Sequence, residues 1–287
     1  MTIALLHPGE MGAAIGACLI SRGVHVVWAS ENRSPETRAR AAQAGFDDLG
    51  SLDRALAASD AALSICAPSG ALELARQVAA HHYHGIYIDA NAISPAHSRE
   101  IGCVVGNKGG QQAGARFTAG ARFVDGGIIG LPPTANRITR LYLCGPDAPA
   151  IAALFAGSQT EAIVIDRPVG AASALKMCYA ACNKGETALL GIIRALARYE
   201  GVDETLLREW GYSQPGTAQT SEHIVERVRK AWRWAGEMEE IAASFDAANL
   251  PSGFLANAEI YRRLAEYKDS KELPTSEEVS TRLRQSK

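Results

Sequence analysis

Residues 3–19 constrain the fold of this chain more than any other stretch. An apolar run, Ile3-Ala4-Leu5-Leu6, leads into His7-Pro8-Gly9-Glu10-Met11-Gly12, and apolar residues then recur at Met11, Ile15, Cys18 and Leu19 with helical spacing. The order predicts strand, tight loop and helix. It follows the G-x-G-x-x-G pattern with one departure, since His7 stands where the first glycine is expected and Pro8 follows it. Glycines at 9 and 12 let backbone approach a pyrophosphate closely, and the unpaired first-turn N–H groups of the helix point at such an anion. His7, Pro8, Gly9, Glu10, Met11 and Gly12 are therefore candidate dinucleotide ligands, and Gly16 would let the helix lie close on the strand.

A second strand is expected over 24–29, reached through Arg22-Gly23, at the distance of one βαβ unit. After it comes Ser30-Glu31-Asn32-Arg33-Ser34. Ser30 occupies the place where NAD enzymes carry an acid for the ribose 2′-OH, and Arg33 could clamp a 2′-phosphate. Ser30, Asn32 and Arg33 thus favour NADP, and Glu31, one register away, leaves NAD open. Helices over 35–44 and 52–58 precede a strand over 61–66. That strand runs into Ala67-Pro68-Ser69-Gly70, so Ala67 and Pro68 should line the cofactor crevice. A helix over 71–80 and a strand over 85–89 follow, then Ala90-Asn91-Ala92-Ile93-Ser94-Pro95, in which Ser94 caps a helix and Pro95 takes its first turn. Alternation of this kind predicts a doubly wound parallel sheet.

Residues 102–120 hold six glycines, and the hexads 113–118 and 119–124 are nearly identical, which reads as a local duplication lengthening a surface loop. Phe123-Val124-Asp125 then enters a glycine-rich turn, 126–133, and two short strands over 141–144 and 162–165 close a first domain, 1–168. The second domain, 169–287, reads as all-helical: a long helix over 171–199, then helices over 204–210, 223–234, 237–248 and 253–267, with a polar tail that is loosely held or disordered. The long helix is expected to bridge the domains and to offer a dimer face.

A net charge of −2 gives no reason to expect nucleic acid or an anionic membrane as partner. No run of about 18 apolar residues and no leader pattern occurs, so the chain is expected to be soluble and cytoplasmic. Its six cysteines sit mostly in apolar runs without a C-x-x-C pair and read as free thiols, with no metal site.

Taken in order, Gly9-Glu10-Met11-Gly12, the loop 89–95, the segment 123–130 and Ala174-Leu175-Lys176-Met177-Cys178-Tyr179 resemble the β-hydroxyacid dehydrogenase group, relatives of 6-phosphogluconate and 3-hydroxyisobutyrate dehydrogenases, in particular a short bacterial branch with its own small helical C-terminal domain. The resemblance implies a Rossmann-type α/β fold followed by a helical domain, a homodimer, and a catalytic lysine at Lys176. The chemistry suits it, because oxidising an alcohol requires a group that takes the hydroxyl proton as hydride leaves, and a lysine in an apolar wall can have its pKa lowered towards working pH. Asn91, Ser94, Asp125, Gly126, Gly127 and Asn183 are the implied substrate-binding positions, and Asn91 is expected to face the cofactor as well. Three departures stand out: Tyr179 and Ala180 replace the amide pair that usually follows the lysine, Asn183 stands where phosphogluconate enzymes place a glutamate, and Ile129 replaces a serine. Tyr179 either shares the proton relay or packs as an aromatic knob. Lys184 is a second candidate lysine, expected in solvent, and Trp232, Trp234 and Phe245 are expected in a core. The substrate expected is a small hydroxy acid or its keto or semialdehyde partner. The alternatives are an imine reductase-like enzyme and a dinucleotide-binding protein without turnover.

Overall fold

The computed structural model describes residues 1–106 and 120–285, so the expected loop duplication falls mostly outside the described residues. Two compact units divide within one helix, Met1–Lys176 and Met177–Lys287.

The first unit runs β1 (Thr2–Leu5), α1 (Glu10–Ile20), β2 (His25–Trp28), α2 (Pro35–Gln43), β3 (Asp47–Asp48), α3 (Leu52–Ala57), β4 (Ala61–Ser64), α4 (Pro68–Ala80), β5 (Ile86–Asp89), α5 (Pro95–Val105), β6 (Arg122–Ile129), β7 (Thr139–Cys144), α6 (Ala148–Ala153) and β8 (Thr160–Val164). The sheet order is β3-β2-β1-β4-β5-β6-β7-β8. All pairs are parallel except β6 with β7. Both faces of the sheet are covered. Along β1, Ile3 and Leu5 join one buried cluster with Ile15, Leu19 and Ile88, and Ala4, with Leu6 just beyond the strand, joins another with Val27, Leu74 and Tyr87. This two-sided burial is why the strands read as continuous apolar runs. Each large aliphatic side chain so buried stabilises by about 1.5–3 kcal/mol.

Helix starts follow local chemistry. Ser34, Ser51 and Ser94 cap α2, α3 and α5 by accepting from Thr37, Arg54 and His97 N–H, and Pro35 and Pro95 take first-turn positions. The expected closeness of Gly16 holds, since a Cβ there would lie 2.4 Å from the Phe46 ring and 3.2 Å from Leu5.

Four details depart from expectation. Helix α4 starts at Pro68 instead of 71, and β3 and α6 were not anticipated. The glycine-rich turn expected from 126 is instead the second half of β6, and the turn comes at Gly130 with φ 126. Gly126 and Gly127 are in the strand because other backbone passes against it: a Cβ would lie 2.8 Å from Asp89 O at Gly126 and 2.5 Å from Ala172 O at Gly127.

Helix α7 (Ala171–Tyr199) starts in the first unit and continues through the second. There it is followed by α8 (Asp203–Ser213), α9 (Thr217–Arg227), α10 (Ala231–Ala247), α11 (Phe254–Arg263) and α12 (Ser276–Arg284), with no strand among the described residues. The break expected between 234 and 237 is absent, because Gly236 sits in α10 with open space where its Cβ would be. The polar tail forms a docked helix. Thr275 and Glu278 make a reciprocal capping box, Val279 and Leu283 are buried, and Arg198 donates to Ser280 Oγ at 2.6 Å. A buried Arg194 holds Asp203, Ser221 and Glu222 beneath it. Lys184 is paired with Glu237, both side chains nearly buried, and lies over the Trp234 ring, which corrects its expected place in solvent. Trp234 packs edge-on against Tyr261, as expected for a core residue, whereas Trp232 is exposed beneath Lys268. The cysteines are free, but Cys103, Cys178 and Cys182 are exposed. Among the described residues no helix is long and apolar enough to cross a membrane.

Candidate dinucleotide crevice and its lysine

Strand order turns back between β1 and β4: the chain goes outward from β1 to β3, then resumes at β4 on the other side. At such a switch point the loops beyond the strands' carboxyl ends diverge and leave a crevice. Four sequence-derived groups end there. The loop after β1 carries His7 to Gly12. The segment after β2 carries Ser30, Asn32 and Arg33. Ala67 and Pro68 open α4 after β4, and Asn91 and Ser94 follow β5.

The β1 loop is tightly folded. Gly9 N donates to His7 O at 2.9 Å, and a Cβ at Gly12 would lie 2.3 Å from the same carbonyl, so only glycine fits at 12. Gly9 has open space on its Cβ side. Helices α1 and α4, which start on the crevice, have no side-chain cap, in contrast to α2, α3 and α5. Their first-turn N–H groups are the donors an anion would meet. Two arginines that follow β2 grip the loop: Arg33 Nη2 donates to Leu6 O at 3.2 Å and Arg40 Nη1 to Pro8 O at 3.0 Å. His7 Nδ1 and Arg33 Nε are buried without a hydrogen-bond partner. Burial, and then the Arg33 charge, lower the His7 pKa to about 4, so the imidazole is neutral at ordinary pH. Unpaired polar atoms, uncapped helix starts and the glycine opening fit a dinucleotide with an anionic group near Arg33. The role of Arg40 escapes sequence inspection, because an arginine in a basic amphipathic helix looks like any solvated one.

Ser30 is buried, its N–H donating to Asp48 Oδ1 at 3.2 Å, while Asn32 is exposed in the left-handed region with φ 58. Asn91 is nearly fully buried and its amide is spent on the sheet edge. Nδ2 donates to Asp89 Oδ2 at 2.8 Å and Ser64 Oγ at 2.9 Å, and Oδ1 accepts from Cys66 N–H at 2.5 Å. As folded, it shapes the crevice floor and offers no amide group to a substrate. Ser94 is the buried cap of α5. Burial raises Asp89 from 3.8 to about 7, against the lowering effect of Asn91's donors and with a further rise from the Asp125 charge.

Asp125, expected to bind substrate, is fully buried and anchors a helix. Oδ2 accepts from Gly170, Ala172 and Ser173 N–H at 2.9, 3.0 and 3.2 Å and from Cys144 Sγ at 3.1 Å, while Oδ1 accepts from Ser98 and Ser173 Oγ at 2.8 and 2.5 Å. A carboxylate on the first-turn N–H groups of α7 completes donors that would otherwise be orphaned, with the favourable sign for the helix dipole. The spacing of 45–48 residues hid this partner from sequence reading. Register fixes what the anchor achieves. Ser64 pairs with Asp89 and Asp89 with Asp125, so Gly126 and Gly127 lie beyond the row where β4 and β5 end. A Cβ at Gly127 would be 3.2 Å from Lys176 Cβ. The half-buried Lys176 is therefore seated by Asp125 and Gly127 just past the carboxyl edge of the sheet. Leu175 beside it is exposed and Met177 buried, so the expected apolar wall is one-sided. Tyr179 and Asn183 fall in the second unit; Tyr179 is exposed and Asn183 Oδ1 accepts from Arg227 at 3.1 Å.

Residues 197–264 match a family model described as a domain of unknown function, DUF1932. Among solved structures, the conserved protein MTH1747 of unknown function, described as structurally similar to 3-hydroxyacid dehydrogenases, is 26% identical with TM-score 0.67 over 93% of this chain and 97% of its own. A Mycobacterium tuberculosis 3-hydroxyisobutyrate dehydrogenase solved with L-serine is 19% identical with TM-score 0.67 over 99% of both chains. A reductive aminase from Aspergillus terreus, in complex with NADPH4, cyclohexanone and allyl amine, is 14% identical with TM-score 0.56 over 99% of both. No curated protein matches the chain. In line with the resemblance read from the motifs, the chain has the fold of 3-hydroxyacid dehydrogenases and is similar to them over nearly its whole length, and its helical C-terminal region carries the DUF1932 match.

Proposed function

We propose that the protein is an NAD(P)-dependent oxidoreductase, preferring NADP, that interconverts a small hydroxy acid and its keto or semialdehyde partner. The observation that carries the reading is the packing of Lys176 on Gly127 beyond the sheet's carboxyl edge, beside the strand ends that frame the dinucleotide crevice. When bound, the nicotinamide would supply or accept the hydride. Gly9 and Gly12 would hold the dinucleotide phosphates with the first turn of α1, His7 would line the same loop on the side of Arg33, Ala67 and Pro68 would bring up α4, and Ser30, Asn32 and Arg33 would meet the adenosine ribose and its 2′-phosphate. Lys176 would take the hydroxyl proton in oxidation and return it in reduction. Gly126 and Gly127 would bring the Asp89 backbone and α7 close enough to β6 to frame the substrate site, Asp125 would position the lysine through α7, and Tyr179, about one helical turn further on, would serve as an additional proton carrier.

Imine reduction is the second reading, favoured by the match to a reductive aminase over the whole chain. Both are tested by following NADPH and NADH oxidation with a panel of keto acids, semialdehydes and imines. Turnover of keto acids or semialdehydes supports the first reading, and turnover of imines alone replaces it by the second. A protein that binds NADPH and turns over none of them is a binding protein. The acting form would be a homodimer, because Leu175, Cys182, Leu189 and Leu196 are exposed at seven-residue intervals along α7 and form an apolar stripe for a second copy. Sedimentation as a monomer would refute that part.

A further inference from the structure

On the reading that the crevice takes a dinucleotide, we propose that His7 is a specificity-determining residue: it accepts a hydrogen bond from Arg33 and so sets that guanidinium for the 2′-phosphate of NADP. His7 replaces the first glycine of the fingerprint, so the chain carries an imidazole where the pattern has no side chain. Its Nδ1 and Arg33 Nε are both buried and both lack a partner. Arg33 reaches the residue adjoining His7, its Nη2 donating to Leu6 O at 3.2 Å, and its charge acts on the imidazole. An arginine Nε always donates, and a neutral imidazole has one nitrogen that only accepts. Leaving a donor and an acceptor both unpaired in a buried place is unfavourable, and the bond between them would satisfy both.

The geometry around the pair leaves one edge of the guanidinium for a ligand. Nη2 is held by Leu6 O at 3.2 Å on the same loop. With Nε on His7 and Nη2 on Leu6, the plane of Arg33 is fixed and Nη1 is left to meet an anion. Among the described residues no carboxylate pairs with Arg33, so its charge has no counter-ion. Arg40 fixes the loop from the other side through Pro8 O, and Asn32 in its left-handed conformation reverses the chain just before Arg33.

The test is equilibrium binding of NADPH and NADH by calorimetry, without substrate, so that turnover does not enter. Wild type should bind NADPH more tightly. His7→Phe keeps the ring volume and removes the acceptor; it should weaken NADPH about tenfold or more and leave NADH unchanged. His7→Asn, whose Oδ1 takes the place of Nδ1, should restore NADPH binding. Arg33→Lys keeps the charge without the Nε donor, and His7→Phe should add nothing in that background. If His7→Phe preserves the preference for NADPH, or weakens both cofactors equally, the role given to His7 is wrong while the dinucleotide reading stands. Wild type binding neither cofactor would overturn both.

Discussion

Gly127→Ala is the sharpest perturbation of the proposed centre, because its consequences follow from distances alone. The added Cβ would lie 2.5 Å from Ala172 O and 3.1 Å from Ala172 C, both backbone atoms of α7, and 3.2 Å from Lys176 Cβ. Ordinary contact begins near 3.4 Å, so α7 must move away from β6 by nearly 1 Å. Retreat is resisted by the bonds from Gly170, Ala172 and Ser173 to Asp125, which are all within 3.2 Å. Overpacking of this kind costs about 1–3 kcal/mol. The alanine returns roughly 0.4–1 kcal/mol by restricting the unfolded chain, so a net loss of about 1–2 kcal/mol is expected. A displacement of that size at a proton-transfer group lowers turnover by about 100-fold. The assays are urea unfolding, steady-state kinetics with the best substrate of the panel, and NADPH affinity. Stability should fall modestly, kcat should fall steeply and NADPH affinity should hold. Wild-type kcat together with the expected loss of stability would refute the idea that this contact seats the catalytic lysine.

Other predictions rest on the buried carboxylates. Asp125→Ala leaves three backbone N–H groups of α7 buried without an acceptor and should destabilise by about 3–5 kcal/mol in urea denaturation; a midpoint equal to wild type would contradict the anchoring role. Asp89 has a folded pKa of about 7 against 3.8 unfolded, so between those values the unfolded state binds fewer protons and stability falls as pH rises. The full effect is about 4 kcal/mol. Asp89→Asn should abolish that decline, and an unchanged stability profile from pH 4 to 7 would show that the carboxyl is not held neutral. His7 acts with the opposite sign: its pKa, lowered from 6.5 to about 4, costs stability as pH falls through that window, and His7→Phe should remove that loss.

What could be read from the chain, and what could not, divides by distance along it. The strand–loop–helix start, the capping serines and the alternation that builds the sheet are local, and the structure follows them to within a few residues. Gly126 and Gly127 look like a turn in the sequence because their glycine is demanded by Ala172, Lys176 and Asp89, which belong to other elements. Asp125 looks like a ligand in the sequence because its six donors lie on α5, on β7 and at the start of α7, all distant along the chain. Lys184 looked solvated because its Glu237 partner is 53 residues away, and the tail looked loose because the groups that dock α12 belong to α7. Lys176 itself came from motif order, and its seat at the sheet edge came only from register.

The account turns on that lysine, and the most direct measurement is the single-turnover rate of NADPH oxidation by Lys176→Met, taken beside its NADPH dissociation constant. General acid–base catalysis is worth about 10²–10⁴-fold, so the rate should fall by at least about 100-fold with cofactor affinity unchanged. A rate equal to wild type, with cofactor bound as before, would contradict the account.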